Sequence, residues 1–161
     1  MLLHAPTPLS LADLTSLTRQ VADEVLAGLH TVQIDPERRW YQLLRSDHYF
    51  DVWLISWATE QVAELHDHAG SLGALTVVSG NLVEHRWTGS GLKGRTLRAG
   101  RSEGFPLGHV HDVGNPAVEP AVSVHAYSPP LTAMSYYAAE PAGLRRTRTV
   151  LVESGSSEGV G

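Results

Sequence analysis

The chain has 161 residues, 42% of them hydrophobic and 18% charged, which suits one globular domain with a sizeable core. Twelve basic against 17 acidic residues give a net charge of -5, with no basic stripe, so nucleic acid is not an expected partner. Cysteine is absent, which excludes disulfides, thiolate metal ligands and a cysteine nucleophile. Met1 to Pro6 lacks a basic region followed by an apolar run, and no stretch approaches the ~20 apolar residues of a membrane span. The expectation is a cytoplasmic protein with no membrane partner, either a monomer or a weak homo-oligomer.

Residues 10–30 read as helical. Leu11, Leu14, Leu17, Val21, Val25 and Leu29 recur at spacings of three and four and make one apolar stripe. Ser10 followed by Asp13 resembles a capping box, and Gly28 stands near the end. From about residue 38 to 140 the pattern becomes that of strands. Val52–Trp57, Ala74–Val78 and Asn81–Trp87 are short runs rich in β-branched and aromatic residues, and Val118–Tyr127 alternates loosely. Ser79-Gly80-Asn81 reads as a hairpin turn, and the three glycines between Thr88 and Gly94 mark another. The predicted fold is all-β, a barrel or jelly roll behind an N-terminal helical segment, forming one domain over 1–150. Residues 151–161 have nothing to bury and are expected to be disordered.

His66-Asp67-His68 is the first chemical signal. Residues two apart on a strand share a face, so two imidazoles can meet one metal ion. Alone, His-x-His is a weak motif. The second half of the chain strengthens it. Gly100, Pro106, Gly108, His111 and Asn115 fill every position of Gly-x5-Pro-x-Gly-x2-His-x3-Asn, the second signature of the cupin superfamily. The first cupin signature, Gly-x5-His-x-His-x4-Glu-x6-Gly, reads here Glu60, His66, His68, Gly73, Gly80. The resemblance implies a cupin barrel (a double-stranded β-helix) whose expected acidic ligand is replaced by Gly73. Glu64 and Glu84 stand out of register for that role. His66, His68 and His111 then make a three-histidine centre. Imidazole alone does not choose among iron, zinc, copper and nickel. Three open positions suit a metal that must meet both a substrate and dioxygen.

Further segments narrow the resemblance. Gly80-Asn81-Leu82-Val83-Glu84, His111-Asp112-Val113-Gly114-Asn115 and Glu119-Pro120-Ala121-Val122-Ser123-Val124-His125-Ala126-Tyr127-Ser128-Pro129-Pro130 resemble the cysteine dioxygenase family of thiol dioxygenases, over about Trp40 to Pro130. The resemblance implies Fe(2+) on His66, His68 and His111, O2 as co-substrate, and a small thiol converted to its sulfinate. It further implies that Tyr127 acts beside the bound thiol, oriented by His125, which Ser123 orients in turn. Ser128-Pro129 matches a bond that is cis in relatives.

Two departures bear on the substrate. Some members cross-link a cysteine to the tyrosine matched by Tyr127. The equivalent position here is Gly73, so no Cys-Tyr cross-link is expected. The arginine that holds the carboxylate in cysteine-specific members is matched by Gln42. That substitution resembles members preferring 3-mercaptopropionate, which use an arginine near the C-terminus; Arg145 and Arg146 are the candidates, with Arg45 as another. L-Cysteine is the primary expected substrate and 3-mercaptopropionate the alternative. A metal-binding cupin without oxygenase activity, an isomerase or a sensor, is the rival from another class, and a metal-free binding module a third. Among other residues, His109 competes with His111 but lies off register. The lone His4, His30, His48 and His85 are expected at the surface, the four tryptophans in the core, and Arg95, Arg98 and Arg101 on a solvated face.

Overall fold

The computed structural model describes residues 8–152. One helix, α1 (Leu11–Leu26), precedes eleven strands: β1 (Trp40–Ser46), β2 (Asp51–Trp57), β3 (Val62–His66), β4 (Leu72–Ser79), β5 (Asn81–Trp87), β6 (Leu92–Arg98), β7 (Ser102–Phe105), β8 (His111–Gly114), β9 (Ala121–Ser128), β10 (Ala133–Glu140) and β11 (Gly143–Leu151). They form two antiparallel sheets, ordered β1-β2-β9-β4-β7 and β11-β10-β3-β8-β5-β6. This is the cupin double-stranded β-helix, with a helical segment in front.

The two faces of the five-stranded sheet do different work. On β2, β4 and β9 the residues Trp53, Ile55, Trp57, Leu75, Val77 and Tyr127 point between the sheets into the inner core. The alternate residues Val52, Leu54, Ala74, Val78, Val122, Val124 and Ala126 point outward, where Leu14, Val21 and Ala22 of α1 cover them. Both faces are therefore buried, and every residue of β2 and β9 is buried. This is why Val52–Trp57 of β2 reads as a near-continuous apolar run rather than as alternation. Truncating a fully buried side chain such as Leu14 costs about 2–5 kcal/mol. A buried hydroxyl pair, Thr18 to Thr76 at 2.8 Å, crosses the helix–sheet interface.

The Ser10–Asp13 capping box forms, with both reciprocal bonds made. The helix ends at Leu26, so Leu29 lies beyond it and is exposed, not part of the buried stripe. The Ser79-Gly80-Asn81 turn is a corner rather than a hairpin. It carries the chain from β4 in one sheet to β5 in the other, and the two strands do not pair. Gly80 sits there at φ 72°, and a Cβ on it would lie 2.6 Å from the Pro120 carbonyl oxygen. Glu60, which stands where the first signature carries glycine, also adopts a left-handed φ of 65°. Its N–H donates to the Asn115 carbonyl at 2.7 Å, and the Asn115 N–H donates to Gln61, so the two signatures are knitted at one corner. The Ser128-Pro129 peptide is cis. β11 runs on to Leu151 and Val152 packs into the core, while the rest of the segment expected to be disordered lies outside the described residues.

Candidate metal centre

His66 ends β3 and His111 begins β8, and the two face each other across the antiparallel ladder. His68 stands just past β3, where the chain bends through Ala69 at φ 52°. The strand register thus brings residues far apart in sequence to one point. All three imidazoles are buried, with ring centroids 4.8 to 5.2 Å apart. One ring nitrogen from each lies within 4.8 Å of the others. His66 Nε2 and His68 Nε2 are 3.1 Å apart. With metal–nitrogen bonds of about 2.0–2.1 Å, neighbouring ligands of one ion stand ~3 Å apart, so this pair fits a shared ion. His66 Nδ1 donates to the Glu64 carbonyl at 2.5 Å, and His111 Nδ1 donates to Glu84 Oε2 at 2.7 Å. Each bond fixes the tautomer that turns Nε2 toward the centre.

Glu84 is out of register as a ligand, yet the structure places it against His111. It is fully buried on β5. Burial opposes its ionisation, but hydrogen bonds from His109 and His111, the His111 charge and the Arg95 bond outweigh this and hold it well below the usual carboxylate range. Arg95 reaches Glu84 Oε1 at 2.8 Å, so this arginine is not simply part of a solvated face. His109 is 3.3 Å from Glu84 Oε2 and stacks on Phe105 at 5.3 Å between centroids. The sequence signal for Glu84 was its place in Gly80-Asn81-Leu82-Val83-Glu84.

The opposite wall comes from the other sheet. Ser123, His125 and Tyr127 alternate on the inner face of β9 and are fully buried. Trp57 Nε1 donates to Ser123 Oγ at 2.9 Å, which leaves the serine proton for His125 Nε2 at 2.8 Å. Burial, then the charges of Arg39, His111 and His66, depress the His125 pKa well below its ordinary value, so the ring is neutral and accepts at Nε2. Burial and the Asp51 carboxyl push the Tyr127 phenol up, while Arg39 pulls it down, and the net effect keeps it protonated. The expected bond from His125 to Tyr127 is not made. The Tyr127 hydroxyl and His125 Nδ1 are buried without a protein partner among the described residues. The Tyr127 ring lies 5.0 Å from that of His68, beside the histidine trio. A Cβ on Gly73 would lie 2.9 Å from Phe105 and 3.0 Å from Tyr127, so these two rings fill the space a side chain would need.

The structure places none of the four expected substrate contacts in the barrel interior. A bulge between Leu43 and Arg45 pairs Arg45 with Val52, whose side chain faces α1, and Arg45 binds Glu24 of that helix at 2.7 Å. The strand alternation that would have turned Arg45 inward is broken by this extra residue. Gln42 is exposed and pairs with Leu54, another outward position. Arg145 binds Glu140 at the surface, and Arg146 lies over Tyr137 on the exposed β10–β11 hairpin. Arg39, which carried no motif in the sequence, is the arginine that turns inward. Its guanidinium carbon is 4.9 Å from the Trp57 ring. Its Nη1 is buried with no hydrogen-bond partner among the described residues. Burial lowers its pKa, and Tyr136, Tyr127 and Tyr41 are its electrostatic neighbours. Of the remaining residues, His85 pairs with Asp112, His30 lies beside Glu24, and His4 lies outside the described residues; Trp53 and Trp57 are core, whereas Trp40 and Trp87 are only partly buried.

Fold and site together define a cupin barrel with a buried three-histidine cluster facing a tyrosine and an inward arginine. Solved structures agree on the fold: the Thermus thermophilus protein TT1209 (TM-score 0.56, 20% identity, 62% of this chain and 90% of that one) and a cupin-superfamily sugar phosphate isomerase from Silicibacter pomeroyi (TM-score 0.54, 20% identity, 73% and 84%). A family model described as cysteine dioxygenase type I matches residues 27–140, and the chain belongs to that family. Curated relatives include cysteine dioxygenase type 1 of Homo sapiens and of Pongo abelii, each 26% identical over 155 residues, covering 76% of both chains.

Proposed function

We propose that this protein is an iron-dependent thiol dioxygenase that converts a small carboxylate-bearing thiol, L-cysteine in the first instance, to its sulfinic acid. The reaction balances as RSH + O2 giving RSO2H, with sulfur oxidised and both oxygen atoms retained on it. The observation that carries the reading is the convergence of three buried imidazoles, a protonated Tyr127 and an unpartnered Arg39 Nη1 in one barrel interior.

Iron on His66, His68 and His111 would bind the thiolate and make dioxygen reactive toward it. The chain's own residues supply the rest. Arg39 offers a buried guanidinium with a free donor, which suits a carboxylate through a charge-assisted bond. Tyr127 offers an O–H donor beside the trio and has no competing protein acceptor among the described residues. Its phenol stays protonated and can donate a hydrogen bond to an oxygen or sulfur atom of the bound substrate. Neutral His125, fixed through Ser123 and Trp57, presents Nδ1–H on the same face of β9. Phe105, packed on His68 and His111, walls the site with apolar surface and keeps water from the reacting thiolate.

Arg39 serves the carboxylate of cysteine or of 3-mercaptopropionate, while Gln42, Arg145 and Arg146, which favoured the latter, lie outside the barrel. Oxygen uptake by iron-loaded protein with each thiol is the test. Thiol-dependent uptake yielding sulfinate is expected, and none with either thiol overturns the reading. Arg39→Gln is expected to lower kcat/KM for either thiol roughly 10- to 100-fold, the loss of about 1.5–3 kcal/mol from one charged hydrogen bond, with metal content unchanged.

A further inference from the structure

Glu84 and Arg95 stand directly opposite each other in the β5–β6 ladder. Their side chains meet in a divided arrangement. Glu84 Oε1 takes Arg95 Nε at 2.9 Å and Nη2 at 2.8 Å, whereas Oε2 takes His111 Nδ1 at 2.7 Å and, more weakly, His109 Nε2 at 3.3 Å. Arg95 Nη2 also meets Glu103 at 2.9 Å, and Glu103 meets Arg101 at 2.8 Å. A continuous line of charges thus runs from the surface to the back of one imidazole of the trio. Behind His66, by contrast, Nδ1 meets a backbone carbonyl.

The acidic ligand that cupin signatures place at the position of Gly73 is missing, so three neutral imidazoles face the ion directly. We propose that Glu84 and Arg95 act as an opposed pair that sets how strongly His111 holds its metal ion. Glu84 delivers negative charge through the imidazole instead of by direct ligation, and Arg95 restrains it. The physical basis is that a carboxylate accepting from Nδ1–H makes the other ring nitrogen a better donor. An arginine on the far oxygen draws part of that charge away. Both are positioning residues, since neither touches substrate. The inference rests on the metal reading of the trio.

The test is the dissociation constant for Fe(II), and for Co(II) as a spectroscopic probe, measured by chelator competition on full-length wild type, Glu84→Gln and Arg95→Gln. Glutamine at 84 keeps an acceptor for His111 Nδ1–H and removes the charge. Its metal constant is expected to weaken roughly 10- to 100-fold. Arg95→Gln is expected to bind metal several-fold tighter than wild type. The Fe(III)/Fe(II) midpoint moves up in the first variant and down in the second. A scaffold role alone would loosen the metal in both variants, in step with a lower melting temperature. Shifts of one sign in the two variants, or no shift in either, overturn the proposal. Should Glu84→Gln not fold, Arg95→Lys, which keeps the charge, must match wild type while Arg95→Gln tightens, and equal constants for the two overturn it. A wild-type protein that takes up neither ion overturns the metal reading as well, which separates the two failures.

Discussion

The two sheets treat buried charge in opposite ways. The five-stranded sheet is buried on both faces with mostly uncharged side chains, and its buried carboxylate, Asp51, is poorly served. Oδ2 accepts from the Leu131 N–H at 3.0 Å, and Oδ1 has no partner among the described residues. Burial pushes its pKa up to about 6, against the weaker pull of its hydrogen bonds. The six-stranded sheet carries its buried carboxylate, Glu84, with an arginine and two imidazoles around it, and holds it ionised. The sheet that surrounds its carboxylate with donors also supplies His66 and His111, with His68 just beyond β3. The sheet that excludes charge supplies Ser123, His125 and Tyr127, which work as neutral hydrogen-bonding groups. The division places the histidine cluster and the neutral Ser123–His125–Tyr127 group on facing walls, each in a different dielectric setting.

The largest expected effect separates the two walls outright. His111→Ala is expected to reduce metal affinity beyond the ~10–100-fold that losing an outer partner costs, with thiol-dependent oxygen uptake at background. Metal analysis beside far-UV circular dichroism checks this, and full metal content in the variant would break the assignment of the six-stranded wall. Tyr127→Phe should leave metal content intact while turnover drops about 100-fold, as for loss of a positioned proton donor. If metal is lost in proportion to turnover, the two walls are not independent.

Asp51 gives a pH test of smaller size. Its folded pKa of about 6 lies above the ordinary 3.8, so the folded state binds the proton more tightly than the unfolded state does. Its contribution to stability is therefore largest below the ordinary value and is lost as pH rises through about 6, by up to roughly 3 kcal/mol. Chemical unfolding of wild type and Asp51→Asn from about pH 3.5 to 7 should show that this decline is confined to wild type. A decline of equal size in the variant would mean that Asp51 is not its source. The smallest effect concerns the corner where the two signatures meet. Glu60→Gly should relieve the left-handed backbone and stabilise the fold by about 1 kcal/mol, readable as a raised melting temperature with unchanged metal uptake.

How far the site was legible in the sequence follows the same division. His66, His68 and His111 stood out because ligand spacing and glycine-proline punctuation are local features. Ser123, His125 and Tyr127 were legible because they alternate on one strand. The link from His125 to Tyr127 was not, since hydroxyl placement depends on packing around Gly73 and Phe105. Arg45 was misplaced by a single bulge that no local pattern announces, and Arg39 was missed because it precedes the strand on which a contact was sought. Arg95 has the look of any surface arginine until the β5–β6 register sets it opposite Glu84.

Local patterning was thus enough for the strand-rich barrel and the capped helix in front of it, because these rest on periodicities within a few residues, while the histidine set and the family came from the resemblance of the motifs. It did not reach which arginine enters the barrel, which carboxylate stands behind His111, or that Gly80 turns a corner between sheets. Those outcomes come from the pairing of strands far apart in the chain. A one-residue change in register reverses which face a side chain occupies, and nothing local to the side chain records it.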